Sequence, residues 1–317
     1  FHLVDAFAVY AVTASVGRHV LQPDFEAAAT LRTMEREGIT VLNVASTMVA
    51  LLCASPTLRV TDFTSLRLLS CGGSPLADAS AKVALSSFGC EFFISYGMTE
   101  CCGKISMSIL EPHLRAESLD RQLKAVCSSG RPFRLQNVRV VGEDGFDITP
   151  GSGNIGEVRC QGLTTFFGYW RDFEATSRAF DCDGWFRTGD LAMVDDQGYL
   201  HVVDRMTDMI IVGGENVYTA EVEAVLNAHS DIEQAAVFGV NNELLGQMVH
   251  AVVVPRPERS VRRLLPRDYR FTKFLWGKVD QDGLSSLYAI KSNREDVSPL
   301  SGGVVVDASQ SYDAVGN

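Results

Sequence analysis

Four short segments of the chain combine glycine with the side chains that contact phosphates, sugars and metal ions. They are Ser70–Leu76, Ser95–Glu100, Gly184–Asp190 and Asp204–Tyr218. Glycine lets a phosphate or a flat ring approach the backbone, and the start of a helix offers free amide groups to an anion. Taken singly, each segment also fits a tight turn, a helix start or a surface ion pair. Their occurrence together on one chain favours a binding site.

The aromatic and charged residues of these segments suit different parts of a nucleotide. Tyr96 could stack on a base, Thr99 could bond a phosphate, and Glu100 could hold Mg²⁺ through its carboxylate. A carboxylate that follows a Thr-Gly bend, as at Asp190, suits a ribose diol because it can accept two hydrogen bonds. Arg205 lies 15 residues beyond Asp190, so a single hairpin could bring both side chains to one ligand.

The elements that must position these segments alternate between helix and strand in the first third of the chain. Helices are predicted at Phe25–Glu37, Thr47–Ala54 and Ser74–Phe88, and short apolar strands at Ile39–Val44, Leu66–Cys71 and Glu91–Ser95. Asp24 is predicted to cap the first helix, and Ser74 with Pro75 to open the third. Apolar strands separated by helices indicate a parallel sheet covered on both faces, so this part is α/β.

The pattern changes twice further along the chain. After about Leu135, strands separated by acidic and glycine turns predict an antiparallel β-unit, and a small α+β module follows from Thr207. The predicted organisation is the C-terminal part of a large domain at 1–203, a hinge at 204–207, a small C-terminal domain at 208–255 and a divergent, disordered tail at 256–317. That tail is rich in Arg at its start and in Ser and Gly at its end.

The composition limits the classes of function. Among 317 residues, 39 acidic and 28 basic side chains give a net charge of -11, which argues against sequence-independent nucleic-acid binding and against docking to anionic lipid. The longest apolar stretch, Ile39–Ala54, is too short to span a bilayer, so no transmembrane segment is predicted. Eight cysteines without metal-site spacing indicate reduced thiols. No basic leader opens the chain, and a cytoplasmic location is therefore expected.

In their order and wording, the motifs resemble those of the adenylate-forming superfamily, which includes acyl-CoA synthetases, aryl-CoA ligases, luciferases and nonribosomal adenylation domains. The matching motifs are Gly72-Gly-Ser-Pro75, Tyr96-Gly-Met-Thr-Glu100, Gly156-Glu-Val-Arg159, Gly168-Tyr-Trp170, Arg187-Thr-Gly-Asp-Leu191, Asp204-Arg205 and Gly213-Gly-Glu-Asn-Val-Tyr-Thr-Ala-Glu-Val-Glu223. They cover roughly residues 1–255, which identifies the chain as an N-terminally truncated fragment of such an enzyme. The wording after Gly213 is more similar to acyl-CoA ligases than to peptide-synthetase domains.

The resemblance implies a reaction and its cofactors. A fatty or aryl acid would be activated by ATP as an acyl-adenylate and transferred to CoA, so ATP, Mg²⁺ and CoA are the implied cofactors and a small carboxylic acid is the implied partner. The implied nucleotide-binding residues are Gly72, Gly73, Ser74, Tyr96, Gly97, Thr99, Asp190 and Arg205. Thr99 and Glu100 would be catalytic, and Glu100 would bind the metal.

The resemblance also implies an acyl pocket, a CoA site and a hinge. The implied residues are His2, Cys101, Cys102 and Gly103 for the acyl group and Gly213, Gly214 and Glu215 for CoA. Thr207 occupies the hinge position, where the family more usually has Asp or Lys. For Cys101 and Cys102 the alternative is packing against the sheet, and for His2 it is solvent exposure.

Two departures from the family pattern bear on activity. The family's phosphate loop would lie upstream of Phe1, and the Gly-Lys context of its catalytic lysine is matched only by Lys278, for which a chance Gly-Lys pair is the alternative. Loss of that lysine removes a contribution of about 3 kcal/mol, so the chain is expected to adenylate poorly. The alternative functions are a non-catalytic nucleotide- or acyl-binding remnant and an adenylation domain that loads a carrier protein.

Overall fold

The architecture comes from a computed structural model, which describes residues 3–74, 76–242, 245–256, 270–271, 287–288 and 304–307. The chain divides into two compact units, Phe1–Val202 and Val203–Asn317. The first unit contains helices and two sheets, and the second contains a helix packed on a further sheet. Each unit is described by itself.

The first sheet of unit 1 has five strands in the order β1-β2-β3-β4-β5. They are β1 (Val41–Ala45), β2 (Leu68–Gly72), β3 (Glu91–Tyr96), β4 (Ser106–Met107) and β5 (Arg131–Pro132). Strands β1 to β3 are parallel to one another, whereas β4 and β5 are antiparallel to their neighbours. Because parallel neighbours need a crossover connection, helices must lie between these strands.

Two helices of unit 1, one after β1 and one after β2, supply these crossovers. The helices of the unit are α1 (Leu3–Ala14), α2 (Ala27–Glu37), α3 (Ser46–Ala54), α4 (Asp78–Ser87), α5 (Leu119–Val126) and α6 (Phe173–Ala179). Apolar side chains from four of the helices pack with β2 and β3 in one core, which includes Leu31, Val49, Leu69, Ala81, Phe92 and Val126. This packing confirms the α/β class that the alternating pattern predicts.

The predicted start of α2, the helix that precedes β1, is wrong. Helix α2 begins at Ala27, and its N-cap is Glu26 rather than Asp24. The Glu26 carboxylate accepts hydrogen bonds from the N–H groups of Ala28, at 2.9 Å, and Ala29, at 2.6 Å. These are two of the unpaired donors at a helix start, and a cap two residues earlier would not reach them.

The predicted start of α4 is also wrong. The helix begins at Asp78, not at Ser74. Gly73 has a φ of +86°, which leaves the helical region of the backbone, so Gly73 and Ser74 form a turn before the helix instead of its first residues. This turn and the end of β2 before it belong to the candidate functional site.

The second sheet of unit 1 is antiparallel, with the order β6-β7-β8-β9. Its strands are β6 (Gln136–Val141), β7 (Gly156–Gly162), β8 (Phe186–Val194) and β9 (Leu200–Arg205). The Asp195 side chain organises the turn between β8 and β9, because its Oδ1 accepts from the N–H groups of Gln197, at 3.0 Å, and Tyr199, at 2.8 Å. The hairpin predicted from the acidic and glycine turn is present.

Unit 2 is a small α+β arrangement. Strands β10 (Ile210–Val212), β11 (Glu215–Val217), β12 (Ile232–Asn242) and β13 (Gly246–Pro255) form a sheet in the order β11-β10-β13-β12, and β16 (Val304–Asp307) pairs with β13. Strands β14 (Arg270–Phe271) and β15 (Leu287–Tyr288) pair with each other. Helix α7 (Thr219–Asn227) packs Val222 and Leu226 against the sheet core.

The domain bounds given above, including the hinge at 204–207, stay predictions. Most of the predicted tail at 256–317 lies outside the described residues. Within the described ranges, no helix is long and apolar enough to cross a bilayer.

Candidate functional site

The carboxyl ends of β2 and β3 lie side by side at one edge of the first sheet. Gly72 ends β2 opposite Ser95 of β3. A Cβ at position 72 would lie 2.7 Å from the Ser95 carbonyl oxygen and 2.8 Å from its hydroxyl, so only glycine allows this approach. Open α/β sheets bind ligands outside the carboxyl ends of their strands, and two of the predicted segments leave the sheet here.

A hydrogen bond from α3 holds the turn that follows β2. The buried hydroxyl of Ser46 donates to the Ser74 carbonyl oxygen at 2.6 Å. Gly73, with its positive φ, has no atom within 4 Å of the place a Cβ would take. The turn that carries Gly73 and Ser74 is therefore held by a hydrogen bond on one side. On the side of Gly73 its backbone is accessible, so a ligand could approach it closely.

A hydrogen bond joins the second and third predicted segments, which are 94 residues apart in the chain. The Tyr96 hydroxyl, at the end of β3, donates to Oδ2 of Asp190 in β8 at 2.6 Å. Asp190 is only 5% exposed. The structure thus brings together the side chains predicted to contact the base and the ribose.

The backbone around Asp190 is held by the threonine of the same motif. The Asp190 N–H donates to Oγ1 of Thr188 at 3.1 Å, and the Thr188 hydroxyl donates to the Val158 carbonyl oxygen of β7 at 2.8 Å. Gly189 between them has a φ of +74°, a conformation that glycine adopts without strain. The Thr-Gly bend therefore fixes the direction in which the carboxylate leaves the strand.

The protonation state of Tyr96 follows from its surroundings. Burial raises the pKa of Tyr96 well above its usual value, and the negative charge of Asp190 raises it further. The phenol therefore stays protonated and donates to Asp190. A carboxylate can accept about four hydrogen bonds, so the bond from Tyr96 is compatible with further bonds from sugar hydroxyls.

The loop after β3 closes tightly on itself. A Cβ at Gly97 would lie 2.5 Å from the Gly103 carbonyl oxygen. Cys101 is buried, with its Sγ 3.1 Å from that of Cys160, whereas Cys102 is exposed with a φ of +55°. Contact with Cys160 and burial raise the pKa of Cys101, so this thiol stays protonated. The burial favours the packing alternative for Cys101.

Glu100 is hydrogen-bonded to the segment between β7 and α6. Its carbonyl oxygen accepts from the Phe166 N–H at 2.7 Å, and its Oε1 accepts from the Tyr169 hydroxyl at 3.1 Å. Thr99, the preceding residue, is exposed. The predicted phosphate and metal contacts therefore lie in the loop that leaves β3, beyond Tyr96.

The surroundings of Glu100 fit a Mg²⁺ ion that is also bound by substrate phosphates better than they fit a metal ion whose ligands all come from the protein. Among the described residues, no group of three or more His, Cys, Asp or Glu side chains could hold a metal ion. Mg²⁺ is usually bound through one or two carboxylates together with substrate phosphates and waters. A single half-buried glutamate beside a predicted phosphate site matches that pattern.

Asp204 and Arg205, at the end of β9, belong to unit 2. Asp204 is buried, and its carboxylate accepts from the Thr219 hydroxyl at 3.0 Å and from the Arg205 N–H at 2.8 Å. It also accepts from the Thr219 N–H, in the first turn of α7. Asp204 therefore ties the end of β9 to α7, while the Arg205 side chain is exposed.

The other predicted residues lie in or beside turns, or outside the described residues. Gly213 and Gly214 form the exposed turn between β10 and β11, and Glu215 is the exposed first residue of β11. The Gly213 N–H donates to the Leu245 carbonyl oxygen at 2.8 Å. Thr207 lies in the turn after β9. His2 and Lys278 are outside the described residues.

Sequence reasoning missed three residues that hold this edge together. Ser46 carries a signal, since it is a hydroxyl in the apolar stretch Ile39–Ala54. Tyr169 lies in the Gly168-Tyr-Trp170 motif, whose sequence alone indicates no contact to Glu100. The sequence indicates Thr188 only as part of a bend, although its hydroxyl bonds both Asp190 and β7.

Comparison with protein families gives two matches. The family model for AMP-binding enzymes matches residues 1–170, and the model for the C-terminal domain of AMP-binding enzymes matches residues 221–270.

Curated relatives are CoA ligases of aromatic acids, among others. A feruloyl-CoA synthase from Amycolatopsis sp is 39% identical over 241 residues, which are 75% of this chain and 46% of that protein. An indoleacetate–CoA ligase from Aromatoleum aromaticum is 34% identical over 294 residues, which are 87% of this chain and 55% of that protein. The chain spans about half the length of these curated relatives.

Similar solved structures also include a CoA synthetase. The o-succinylbenzoate coenzyme A synthetase from Bacillus subtilis, in complex with ATP and magnesium ion, has a TM-score of 0.70 and 31% sequence identity to this chain. The similarity covers 83% of this chain and 51% of that one.

Proposed function

The chain belongs to the family of AMP-binding enzymes, and on that premise we propose that it provides the nucleotide site of an ATP-dependent ligase for carboxylic acids. In the first step, a carboxylate oxygen of the acid attacks the α-phosphorus of ATP, and pyrophosphate leaves. In the second step, the thiolate of CoA attacks the acyl carbonyl of the adenylate, and AMP leaves. The products are pyrophosphate, AMP and an acyl-CoA.

The observation that carries this proposal is the hydrogen bond between Tyr96 and Asp190. Two segments that are separate in sequence present an aromatic ring and a carboxylate at the same place, beyond the carboxyl end of β3. A ring suits a base, and a buried carboxylate held by its own strand suits the ribose hydroxyls of the same nucleoside. In this proposal Tyr96 stays a hydrogen-bond donor to Asp190 throughout both steps.

The phosphate-facing part of the site follows from the two turns. The turn of Gly73 and Ser74 would admit the nucleotide against the backbone, and the exposed Thr99 hydroxyl would donate to the α-phosphate. Glu100 would hold Mg²⁺, which when bound neutralises phosphate charge as the like-charged acid approaches. Arg205 would contact a ribose hydroxyl, and Gly213 to Glu215 would contact CoA.

We propose an aryl acid as the substrate. The feruloyl-CoA synthase and the indoleacetate–CoA ligase are both named for aromatic acids. The small residues after Glu100, among them Cys102 and Gly103, would leave room for a ring if the acyl group lies beside them. Lys278 as the catalytic lysine, His2 in the acyl pocket and Thr207 as the hinge remain parts of this proposal.

The experiment compares binding of AMP with binding of a non-hydrolysable feruloyl-adenylate analogue by calorimetry on this chain. The expected result is binding of both, with the analogue tighter because it adds acyl contacts to the nucleotide contacts. Lack of binding of AMP, of the analogue or of both would contradict the proposal. Pyrophosphate exchange with ferulate and with indoleacetate then separates an active ligase from a non-catalytic nucleotide-binding remnant.

A further inference from the structure

The Tyr169 phenol contacts the carboxylate that is proposed to hold the metal. Its hydroxyl donates to Oε1 of Glu100 at 3.1 Å. Within the part of the chain that the structure describes, Oε2 of Glu100 has no hydrogen-bond partner. One oxygen of this carboxylate is thus held by the protein, and the other is available to a cation.

Tyr169 is itself held in place at three points. Its N–H donates to Oγ1 of Thr176 at 2.9 Å, and its ring packs edge-to-face on Phe166 with the centroids 4.9 Å apart. Gly168 before it has a φ of +147°, and a Cβ there would lie 2.5 Å from the Thr176 side chain. The backbone, the ring and the hydroxyl of Tyr169 therefore share one fixed arrangement.

The support beneath Tyr169 reaches the same loop as Glu100. The Phe166 N–H donates to the Glu100 carbonyl oxygen at 2.7 Å, and the Phe166 ring contacts those of Phe180 and Phe186 in a buried aromatic group. The glutamate is therefore tied to this segment by its main chain and by its carboxylate. The first bond fixes the backbone from which the Glu100 side chain leaves, and the second restricts the rotation of its carboxylate.

We propose that Tyr169 is a positioning residue that fixes the Glu100 carboxylate for the divalent cation accompanying ATP. The inference rests on the proposed function, since it requires a nucleotide–metal complex at this edge. A long carboxylate side chain loses rotamer freedom when it binds a metal, and a hydrogen bond that orders it beforehand reduces that loss. Groups that hydrogen-bond metal ligands commonly change metal affinity tenfold or more.

The test is a titration of Mn²⁺ in the presence of ATP, followed by electron paramagnetic resonance on the full chain. Tyr169→Phe removes only the hydroxyl and should raise the Kd for Mn²⁺ about tenfold. Tyr10→Phe removes the same atom from an exposed tyrosine of α1 and should leave the Kd unchanged. Glu100→Gln should weaken Mn²⁺ binding more than Tyr169→Phe does.

Two further measurements separate positioning from a general structural effect. Metal-free AMP affinity should be the same in Tyr169→Phe and the wild-type chain, and Tyr169→Phe should add nothing in the Glu100→Gln background. A wild-type Kd for Mn²⁺ in Tyr169→Phe, or an equal loss of metal-free AMP binding, would overturn the positioning role alone. Absence of any Mn²⁺–ATP binding by the wild-type chain would overturn both this role and the proposed function.

Discussion

Two carboxylates of the candidate site are each held by a tyrosine hydroxyl, yet the two pairs are built differently. Asp190 is 5% exposed and accepts from Tyr96 at 2.6 Å, between a strand of one sheet and a strand of the other. Glu100 accepts at 3.1 Å from Tyr169, which is 40% exposed, between two loops. The first is a buried pair and the second is open to water.

Burial decides whether loss of the hydrogen bond changes stability as well as binding. Removing one partner of a buried pair leaves the other without a hydrogen bond and without water, whereas water replaces a lost partner in an exposed pair. We therefore expect substitutions at Tyr96 and Asp190 to change both the free energy of unfolding and the affinity for the nucleotide. Substitutions in the Tyr169 pair should change metal binding with little effect on stability.

The strongest break of the buried pair is Asp190→Ala. It removes the proposed ribose contact and leaves the Tyr96 hydroxyl without its acceptor. AMP affinity, measured by calorimetry without metal, should fall about 100-fold, which is about 2.8 kcal/mol. Asp196→Ala, at an exposed aspartate of the β8–β9 turn, is the control and should bind as the wild-type chain does. Equal affinities for Asp190→Ala and Asp196→Ala would show that Asp190 is not at the nucleotide.

A direct comparison of the pairs uses Tyr96→Phe and Tyr169→Phe. The first removes a buried hydrogen bond to a carboxylate and should lower the free energy of unfolding by about 1.5–3 kcal/mol. The second removes an exposed one and should lower it by less than about 0.5 kcal/mol. Urea unfolding of both variants gives the two values. If the larger loss occurred in Tyr169→Phe, the comparison between buried and open pairs would be wrong.

The turn beside the buried pair should respond to Ser46→Ala. The substitution removes the hydroxyl that bonds the Ser74 carbonyl oxygen and should lower the free energy of unfolding by about 1 kcal/mol. AMP affinity should weaken only a few-fold, because the turn keeps its sequence and loses its support. Ser86→Ala, at an exposed serine that bonds only within its own helix, is the matched control for both measurements.

The smallest effect expected is a difference in alkaline stability. Burial and Asp190 raise the pKa of Tyr96, so above about pH 10 the unfolded chain loses a proton that the folded chain keeps. The stability contributed by this group is present below that pH and is lost as the pH rises. The wild-type unfolding midpoint should fall more steeply between about pH 10 and 11 than that of Tyr96→Phe. Parallel profiles would count against a buried, proton-holding Tyr96.

Much of the fold and the first part of the site could be predicted because the signals are local. Apolar strands between helices indicate the first sheet, and the segments that contain Gly72 and Tyr96 lie where β2 and β3 end, where a ligand edge is expected. The confirmed parts are the α/β class, the antiparallel unit and the membership of the AMP-binding family. The roles of the individual site residues stay predictions.

Two of the features that sequence reasoning missed depend on distant residues, and the third depends on local geometry. The bond between Tyr169 and Glu100 spans 69 positions, and no periodic pattern connects them. Ser74 followed by proline has the composition of a helix start, but its carbonyl is bound by Ser46 from another helix. Near α2, two acidic residues compete as cap, and only the folded geometry distinguishes Glu26 from Asp24.

The central claim is the position of the nucleotide, and a crystal structure of the chain with AMP measures that position directly. The predicted result is an adenine ring beside Tyr96 and ribose oxygens about 3 Å from the Asp190 carboxylate. An AMP molecule bound away from the carboxyl ends of β2 and β3 would contradict the account.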